Sequence, residues 1–274
     1  MRIDLHSHSN VSDGLDSPTE LVRKMALAGI DAFALTDHDT LGGLEEARGE
    51  ARRAGVELLA GAEISADFDG QDDVHILALF VDEKDATFQG RLRERQARRR
   101  ERGERMARNL IDAGYPLDLE ALATEVGDGV WGRPHLARAL VRAGHAGSEN
   151  EAFSRFLKRE HSWYVPTVKW PAGEVVQAIR EAGGVSSLAH AVWYKDSPSL
   201  IRGLAGAGLD AVEVFHPDHG PEEEARLGDL VREMNLMVTA GSDFHGVIEG
   251  RKRPGGVVGT AEMLGLLRAR ARRR

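Results

Sequence analysis

The residues able to do chemistry come first in the chain. MRIDLHSHSNVSDG places His6 and His8 one residue apart straight after an apolar stretch, with Asp13 five residues on. Side chains alternate along an extended strand, so His6 and His8 point to the same side and can grip one ion. Asp13 lies beyond a turn and can reach a neighbouring ion. Similar groups recur at the ends of other apolar runs: His38 in TDHD, Glu63 in GAEIS, His75 in VHILALF, His190 in LAHA, and Asp243 with His245 in GSDFH. Six of the eleven histidines fall in this set. Nine isolated buried polar groups would each carry a burial cost, which a shared set of divalent ions removes. With no cysteine in the chain, disulfides and thiolate sites are excluded. Any metal must be held by imidazole and carboxylate, a donor set that suits Mn, Fe or Zn.

These groups need a scaffold that brings strand ends together. Residues 2–5 read as a short buried strand. Ser17, Pro18 and Glu20 then form a capping box that opens a helix ending at Gly29. Strands are expected over 32–39, 56–65, 74–80, 185–191, 209–217 and 236–246, with 67–73 as a turn. Helices fill most of the gaps, one of them over 171–184. This is about seven β/α units, hence a parallel, barrel-like α/β fold with the strand C-terminal ends gathered at one mouth. His75 is the exception, standing at a strand start; an antiparallel strand would explain it. From about residue 84 the rhythm changes to a long charged helix and further helical pieces without strands. The expected domains are a barrel over 1–83 and 165–274, and a helical insertion over 84–164 that caps the site. The charge of the long helix reads mostly as a solvated face.

The net charge of −8 argues against bulk attraction to nucleic acid or anionic membrane, although a local basic cleft remains open. No apolar run reaches the ~18 residues of a membrane span. The first residues read as a strand and not as a leader, so a cytoplasmic protein is expected, with no obligate protein partner evident.

DLHSHSNVSDG, ALTDHDT, GAEIS, VHILAL, LAH and GSDFHG together resemble the motifs of the polymerase-and-histidinol-phosphatase (PHP) family, over essentially the whole chain. RPHLARALVRAGH, EAFSRFL and YVP carry a closer likeness to its stand-alone members. These include nucleoside 3′,5′-bisphosphate phosphatases, which also act as 5′→3′ exonucleases on short RNA, and 5′-nucleotide phosphatases. The resemblance implies a distorted (β/α)7 barrel (PHP fold) holding three divalent metal ions, with Mn expected and Fe or Zn as alternatives. His6, His8, Glu63 and Asp243 would hold the first, Glu63, His75 and His190 the second, and Asp13, His38 and His245 the third. Ions of this kind lower the pKa of water and neutralise phosphate charge, so metal-bound hydroxide is the expected nucleophile.

Asp243 and Glu63 are therefore expected at the catalytic centre, with His216 in VFHPDHG as a proton source and substrate contact. Arg133 in GRPH is the expected phosphate clamp, because guanidinium matches phosphate oxygens in a bidentate way; a surface ion pair is its competing role. His135 is a second phosphate contact or a helix-terminal packing residue. Lys169 and Arg159 are further candidates for a phosphate or sugar, and Trp170, Trp193 and Tyr194 for stacking on a base. HAVWYKD departs from the HPxRY-like segment of the closer relatives, which bears on substrate fit. The substrate expected is a small nucleotide, a 3′,5′-bisphosphate losing its 3′-phosphate, with short single-stranded RNA as a further one. The alternatives are a 5′-nucleotide (AMP) or histidinol phosphate. A non-catalytic PHP binding module predicts missing ligand positions, and none is missing. A C–N-cleaving amidohydrolase predicts a lysine at a strand end, and none stands there.

Overall fold

The computed structural model describes residues 1–127, 129–166, 170–246 and 252–273. Seven strands form one sheet whose spatial order follows the chain: β1 (Ile3–Asp4), β2 (Ala32–Leu35), β3 (Glu57–Phe68), β4 (Gln71–Leu79), β5 (Val185–Leu188), β6 (Ala211–Phe215) and β7 (Met237–Ala240). The sheet curls until its edges nearly meet. Leu5 N–H donates to Ala240 O at 3.0 Å, and His8 N–H to Phe244 O at 2.9 Å.

Pairing is parallel except on both sides of β4, which runs antiparallel to β3 and β5. The expected seven-residue turn over 67–73 shrinks to Asp69-Gly70, both with positive φ (47° and 79°). That is the tight hairpin geometry an Asp-Gly pair favours. Reversal of β4 brings the start of this strand to the same mouth as the ends of the others, which resolves the position of His75.

One core cluster draws on nearly every strand: Ile3 and Leu5, Ala32 and Ala34, Leu59, Leu77 and Leu79, Val185 and Ala211. Residues from strands so far apart in order can touch only inside a closed barrel. Leu264 and Leu267 of the last helix, α10 (Ala261–Ala271), belong to the same cluster. Five further helices pack on the outside: α1 (Pro18–Leu27), α2 (Leu44–Ala54), α7 (Ala172–Glu181), α8 (Ser197–Gly206) and α9 (Pro221–Glu233). The capping box on α1 is present, with Ser17 accepting from Glu20 N–H.

Between β4 and α7 run α3 (Ala86–Asp112), α4 (Leu119–Val126), α5 (Arg133–Arg142) and α6 (Glu149–Phe156). The start of α3 packs Phe88 and Leu92 into the barrel's outer core. Its second half joins α4–α6 in a separate apolar cluster with Trp131 and Tyr164. The solvated-face expectation fails on one stripe of α3. Arg95, Arg99 and Arg102 share a face at helical spacing, and Arg95 is buried, donating to Ser65 O at 2.8 Å. Among the described residues no helix is long and apolar enough to cross a membrane.

Gly103 lets the Trp131 indole lie directly on α3; a Cβ there would fall 2.3 Å from Trp131 Cε3. Helix propensity alone favours Gly103→Ala by about 1 kcal/mol. We expect the overlap to win, with a net loss of roughly 1–3 kcal/mol in urea unfolding. A stabilised variant would show that the indole gives way freely.

Candidate metal centre

The nine ligand-type side chains converge at the barrel mouth. His6 and His8 follow β1 in extended backbone. Both Nε2 atoms approach Glu63 Oε2, at 3.4 and 3.3 Å, and Asp243 Oδ1, at 3.4 and 3.5 Å. A second group lies on the other oxygen of Glu63. His75 Nδ1 and His190 Nε2 each stand 3.0 Å from Oε1 and 3.2 Å from one another. The antiparallel register sets this up, since His75 pairs with Ser65 while Glu63 pairs with Leu77, leaving Glu63 and His75 diagonal on one face. In a third group, Asp13 reaches His38 Nε2 and His245 Nε2, each at 3.5 Å, and His38 Nδ1 lies 3.1 Å from Glu63 Oε2. Two residues turn into the site with positive φ, His190 at 30° and Asp243 at 49°. Such backbone costs ~1–3 kcal/mol per residue and persists where the surroundings enforce it.

Hydrogen bonding accounts for only part of these contacts, such as His190 Nε2 with Glu63 Oε1 at 3.0 Å. His6 Nε2, both ring nitrogens of His8 and His38 Nδ1 are buried without a hydrogen-bond partner. Ligand atoms sharing one ion at ~2.1 Å stand roughly 3.0–3.4 Å apart, close to the separations seen here. The residues therefore fit divalent cations.

The electrostatics agree. Burial lowers the His6 pKa, yet the Glu213, Glu63 and Asp243 carboxylates outweigh it and raise the group well above its ordinary value. For His8, burial is likewise overcome by Asp243 and Glu63, and the pKa rises to about 10. Burial acts to raise Glu63 and Asp243, but the surrounding imidazoles hold both well below the usual carboxylate range. Protons are thus favoured on His6 and His8, whereas burial lowers His38 to about 3 and His190 to about 4.

Sequence reasoning missed several supporting groups. Glu213, fully buried on β6, takes His6 Nδ1 at 3.1 Å and accepts from His190 N–H at 2.7 Å. It thereby turns His6 Nε2 toward the cluster, the role an outer carboxylate plays behind a ligating imidazole. An acid inside the apolar run AVEVF was a legible signal. Asp37 accepts from Ser9 N–H (2.8 Å), Ser9 Oγ (2.7 Å) and Ser12 Oγ (2.7 Å), fixing the turn that carries Asp13.

A cavity of about 310 Å³ opens above the cluster. Asp13, His38, Glu63, His75, His190, Asp243 and His245 line its floor, and Asp73, Arg99, Arg102, Gly132, Arg133 and Trp193 are among its walls. Arg133 pairs with Asp73 at 3.0 Å. His216 is fully buried and does not line the cavity. Its Nδ1 accepts from Asp218 N–H at 3.1 Å, and its Nε2 faces Asp243 Oδ2 at 3.4 Å, behind the site and out of reach of a substrate. His135 is buried and accepts from Gly132 N–H through Nδ1 at 3.1 Å, closing the cap of α5. Arg159 is exposed and away from the cavity, and Lys169 lies outside the described residues. Trp170 and Tyr194 are buried, while Trp193 is half exposed at the rim.

A nearly closed α/β barrel with a carboxylate–imidazole cluster at its mouth, under a wall of arginines, defines a metal-dependent hydrolase of anionic esters. The PHP domain profile matches residues 4–148. A 5′-3′ exoribonuclease of Haemophilus influenzae is 33% identical over 89% of this chain and 90% of its own. A 3′,5′-nucleoside bisphosphate phosphatase of Chromobacterium violaceum is 32% identical over 92% and 90%. A crystal structure from Bifidobacterium adolescentis, inferred to be a metal-dependent phosphoesterase, superposes with a TM-score of 0.88 at 30% identity, covering 98% of this chain and 96% of that one. The chain belongs to the PHP family and is a metal-dependent phosphoester hydrolase.

Two measurements follow from this geometry. Glu213→Gln should weaken metal loading about 10–100-fold with the fold intact, as read by metal titration and circular dichroism; unchanged affinity would leave Glu213 a packing residue. The raised His8 pKa of about 10 means that a cation must displace a proton there at neutral pH. Metal affinity should therefore rise with pH from 6 to 9. Calorimetry at pH 7.5 in buffers of different ionisation enthalpy should record proton release on loading.

Proposed function

We propose that the chain removes the 3′-phosphate of a nucleoside 3′,5′-bisphosphate and trims short RNA from its 5′ end. The observation that carries this reading is the cationic wall facing the cluster. Arg99, Arg102 and Arg133 line one cavity with the ligand-type residues. Arg102 Nη2 is buried without a hydrogen-bond partner, an unmet donor that an anion would satisfy. Both side chains are anchored elsewhere: Arg102 Nε donates to Val165 O at 2.7 Å, and Arg99 Nε to Asp39 Oδ2 at 2.5 Å. Their positions are thus fixed before substrate arrives. Gly132, Arg133 and Pro134 bring the N-terminus of α5 to the same wall, where the positive end of the helix dipole favours an anion.

A phosphate on the cluster and a second on this wall account for two subsites. Histidinol phosphate, with one phosphate and a cationic amine, would leave the arginines facing positive charge. The Chromobacterium violaceum relative supports the bisphosphate, and the Haemophilus influenzae relative the short RNA.

In this reading three ions, Mn by preference, are held by His6, His8, Glu63 and Asp243; by Glu63, His75 and His190; and by Asp13, His38 and His245. When bound they supply a water of lowered pKa and offset phosphate charge. The chain's own part is to orient the ester. Arg133 exchanges Asp73 for phosphate, Arg102 and Arg99 fix the distal group, and helices α3–α6 of the 84–164 insertion shield the cleft. His216 holds Asp243 in place and does not touch the leaving group.

The test is phosphate release by Mn-loaded protein from adenosine 3′,5′-bisphosphate, 5′-AMP, 3′-AMP, histidinol phosphate and a short 5′-phosphorylated RNA. We expect the bisphosphate to be preferred, with loss of its 3′-phosphate only and activity abolished by chelator. Arg133→Ala should lower kcat/KM roughly 10–100-fold at unchanged metal content, the loss of a charge-assisted hydrogen bond. A preference for histidinol phosphate would remove the second subsite.

A further inference from the structure

The three aromatic residues near the site have different fates. Tyr194 is buried; its hydroxyl accepts from His75 N–H at 2.9 Å and lies 3.3 Å from His190 Nδ1. Trp170 is buried beneath Arg95, whose guanidinium lies 5.6 Å from the ring centroid. Trp193 alone of the three is exposed, at 51%, and lines the cavity.

An exposed indole on a mobile side chain would be unremarked, but this one is fixed on three sides. One face stacks on the His190 imidazole, with centroids 3.9 Å apart and planes 20° from parallel. Its Nε1–H donates to Asp218 Oδ2 at 3.1 Å. Asp218 also pairs with Lys252 Nζ at 2.9 Å, which sets that ammonium 5.4 Å from the indole centroid. The His190 face is closed to any ligand and the Lys252 ammonium lies over the ring, so the exposure belongs to the uncovered part of the opposite face and the outer edge. A flat aromatic plate therefore stands at the rim, held in place, one ring removed from an imidazole of the cluster.

We propose that the outer face of Trp193 is the nucleobase platform of this enzyme and sets its preference for nucleotides over other phosphate esters. The inference rests on the nucleotide reading above. A phosphate on the cluster leaves the sugar at the cavity wall and the base at the rim. Stacking there costs little ordering, because the indole is already immobilised. It is also tolerant of sequence, since every base has a π-face. Lys252, tethered by Asp218 over part of the ring, must yield or share that face with the base, and it keeps a cation against the stack.

The experiment compares adenosine 3′,5′-bisphosphate with an abasic deoxyribose 3′,5′-bisphosphate in Mn-loaded wild type, Trp193→Phe and Trp193→Leu. Leucine still packs on His190 but offers no aromatic face, and metal content is measured for each protein. We expect wild type to favour the nucleotide by roughly tenfold in kcat/KM, mostly through KM, with small differences among the four bases. Trp193→Phe should keep most of that preference and Trp193→Leu should lose it. No preference in wild type, an undiminished preference in Trp193→Leu, or an equal loss on both substrates would overturn the proposal. Tryptophan fluorescence provides a reading independent of turnover. Should wild type hydrolyse neither substrate, the bisphosphate reading falls, and this titration decides the platform by itself. AMP, but not ribose 5-phosphate, should quench wild type and spare Trp193→Phe; equal quenching in both proteins would overturn it.

Discussion

The structure turns on the burial of one carboxylate. Glu63 is 1% exposed, on the floor of the barrel mouth. A buried carboxylate costs several kcal/mol unless charge and polar partners compensate it. Here five imidazoles stand against it, two at Oε1 and three at Oε2, and hold its pKa well below the usual range. They come from the ends of β1 and β2, the start of β4 and the end of β5, so the compensation exists only when the barrel is closed. The site and the fold are in this sense one constraint. Each ligand is placed by a strand that another ligand's strand must flank.

Reversal of β4 is the part of the fold that this constraint shapes most. A parallel fourth strand would put the residue corresponding to His75 at the far end of the barrel. The Asp69-Gly70 hairpin turns the chain back at the mouth instead. It delivers His75 to the second oxygen of Glu63 and Asp73 to the guanidinium of Arg133. The hairpin thus completes the cluster and also presets the wall opposite it.

The clustering of these side chains was legible because their chemistry is concentrated. Paired histidines and acids closing apolar runs have few structural explanations, and the strand period fixes which side they face. His75 looked misplaced only while every strand was read as parallel. Periodicity reports that a segment is a strand but not which way it runs, whereas the Asp-Gly turn did carry that information. Arg95, Arg99 and Arg102 were hidden by their surroundings in sequence. Within a run of charged residues, an inward stripe looks like its neighbours, and only tertiary packing selects it. His216 and His135 both have site-like neighbours in sequence. Each engages Nδ1 locally, with the N–H of Asp218 and of Gly132, while His216 also turns Nε2 toward Asp243 from behind the cavity. Glu213 could have been found as an acid in an apolar strand, since burial there demands a partner.

The protein carries net negative charge, and its cavity floor is rich in carboxylate, yet its site must receive an anion. Two features reconcile these facts. Cations on the floor convert it from repulsive to attractive, so affinity for phosphate is coupled to metal loading. The arginine wall is independent of metal, because α3 and α5 hold it, Ser65 accepts a hydrogen bond from it, and Asp39 and Asp73 neutralise it in part. Asp73 has a further consequence. An ester reaching Arg133 must displace a carboxylate already paired there, which a phosphate dianion can do more readily than a singly charged group. In the proposed reading the wall would select by charge and the rim by shape, an order that requires the wall to be rigid. Trp131, two residues before Arg133, lies directly on Gly103 of α3, and that contact ties the Arg133 backbone to the helix.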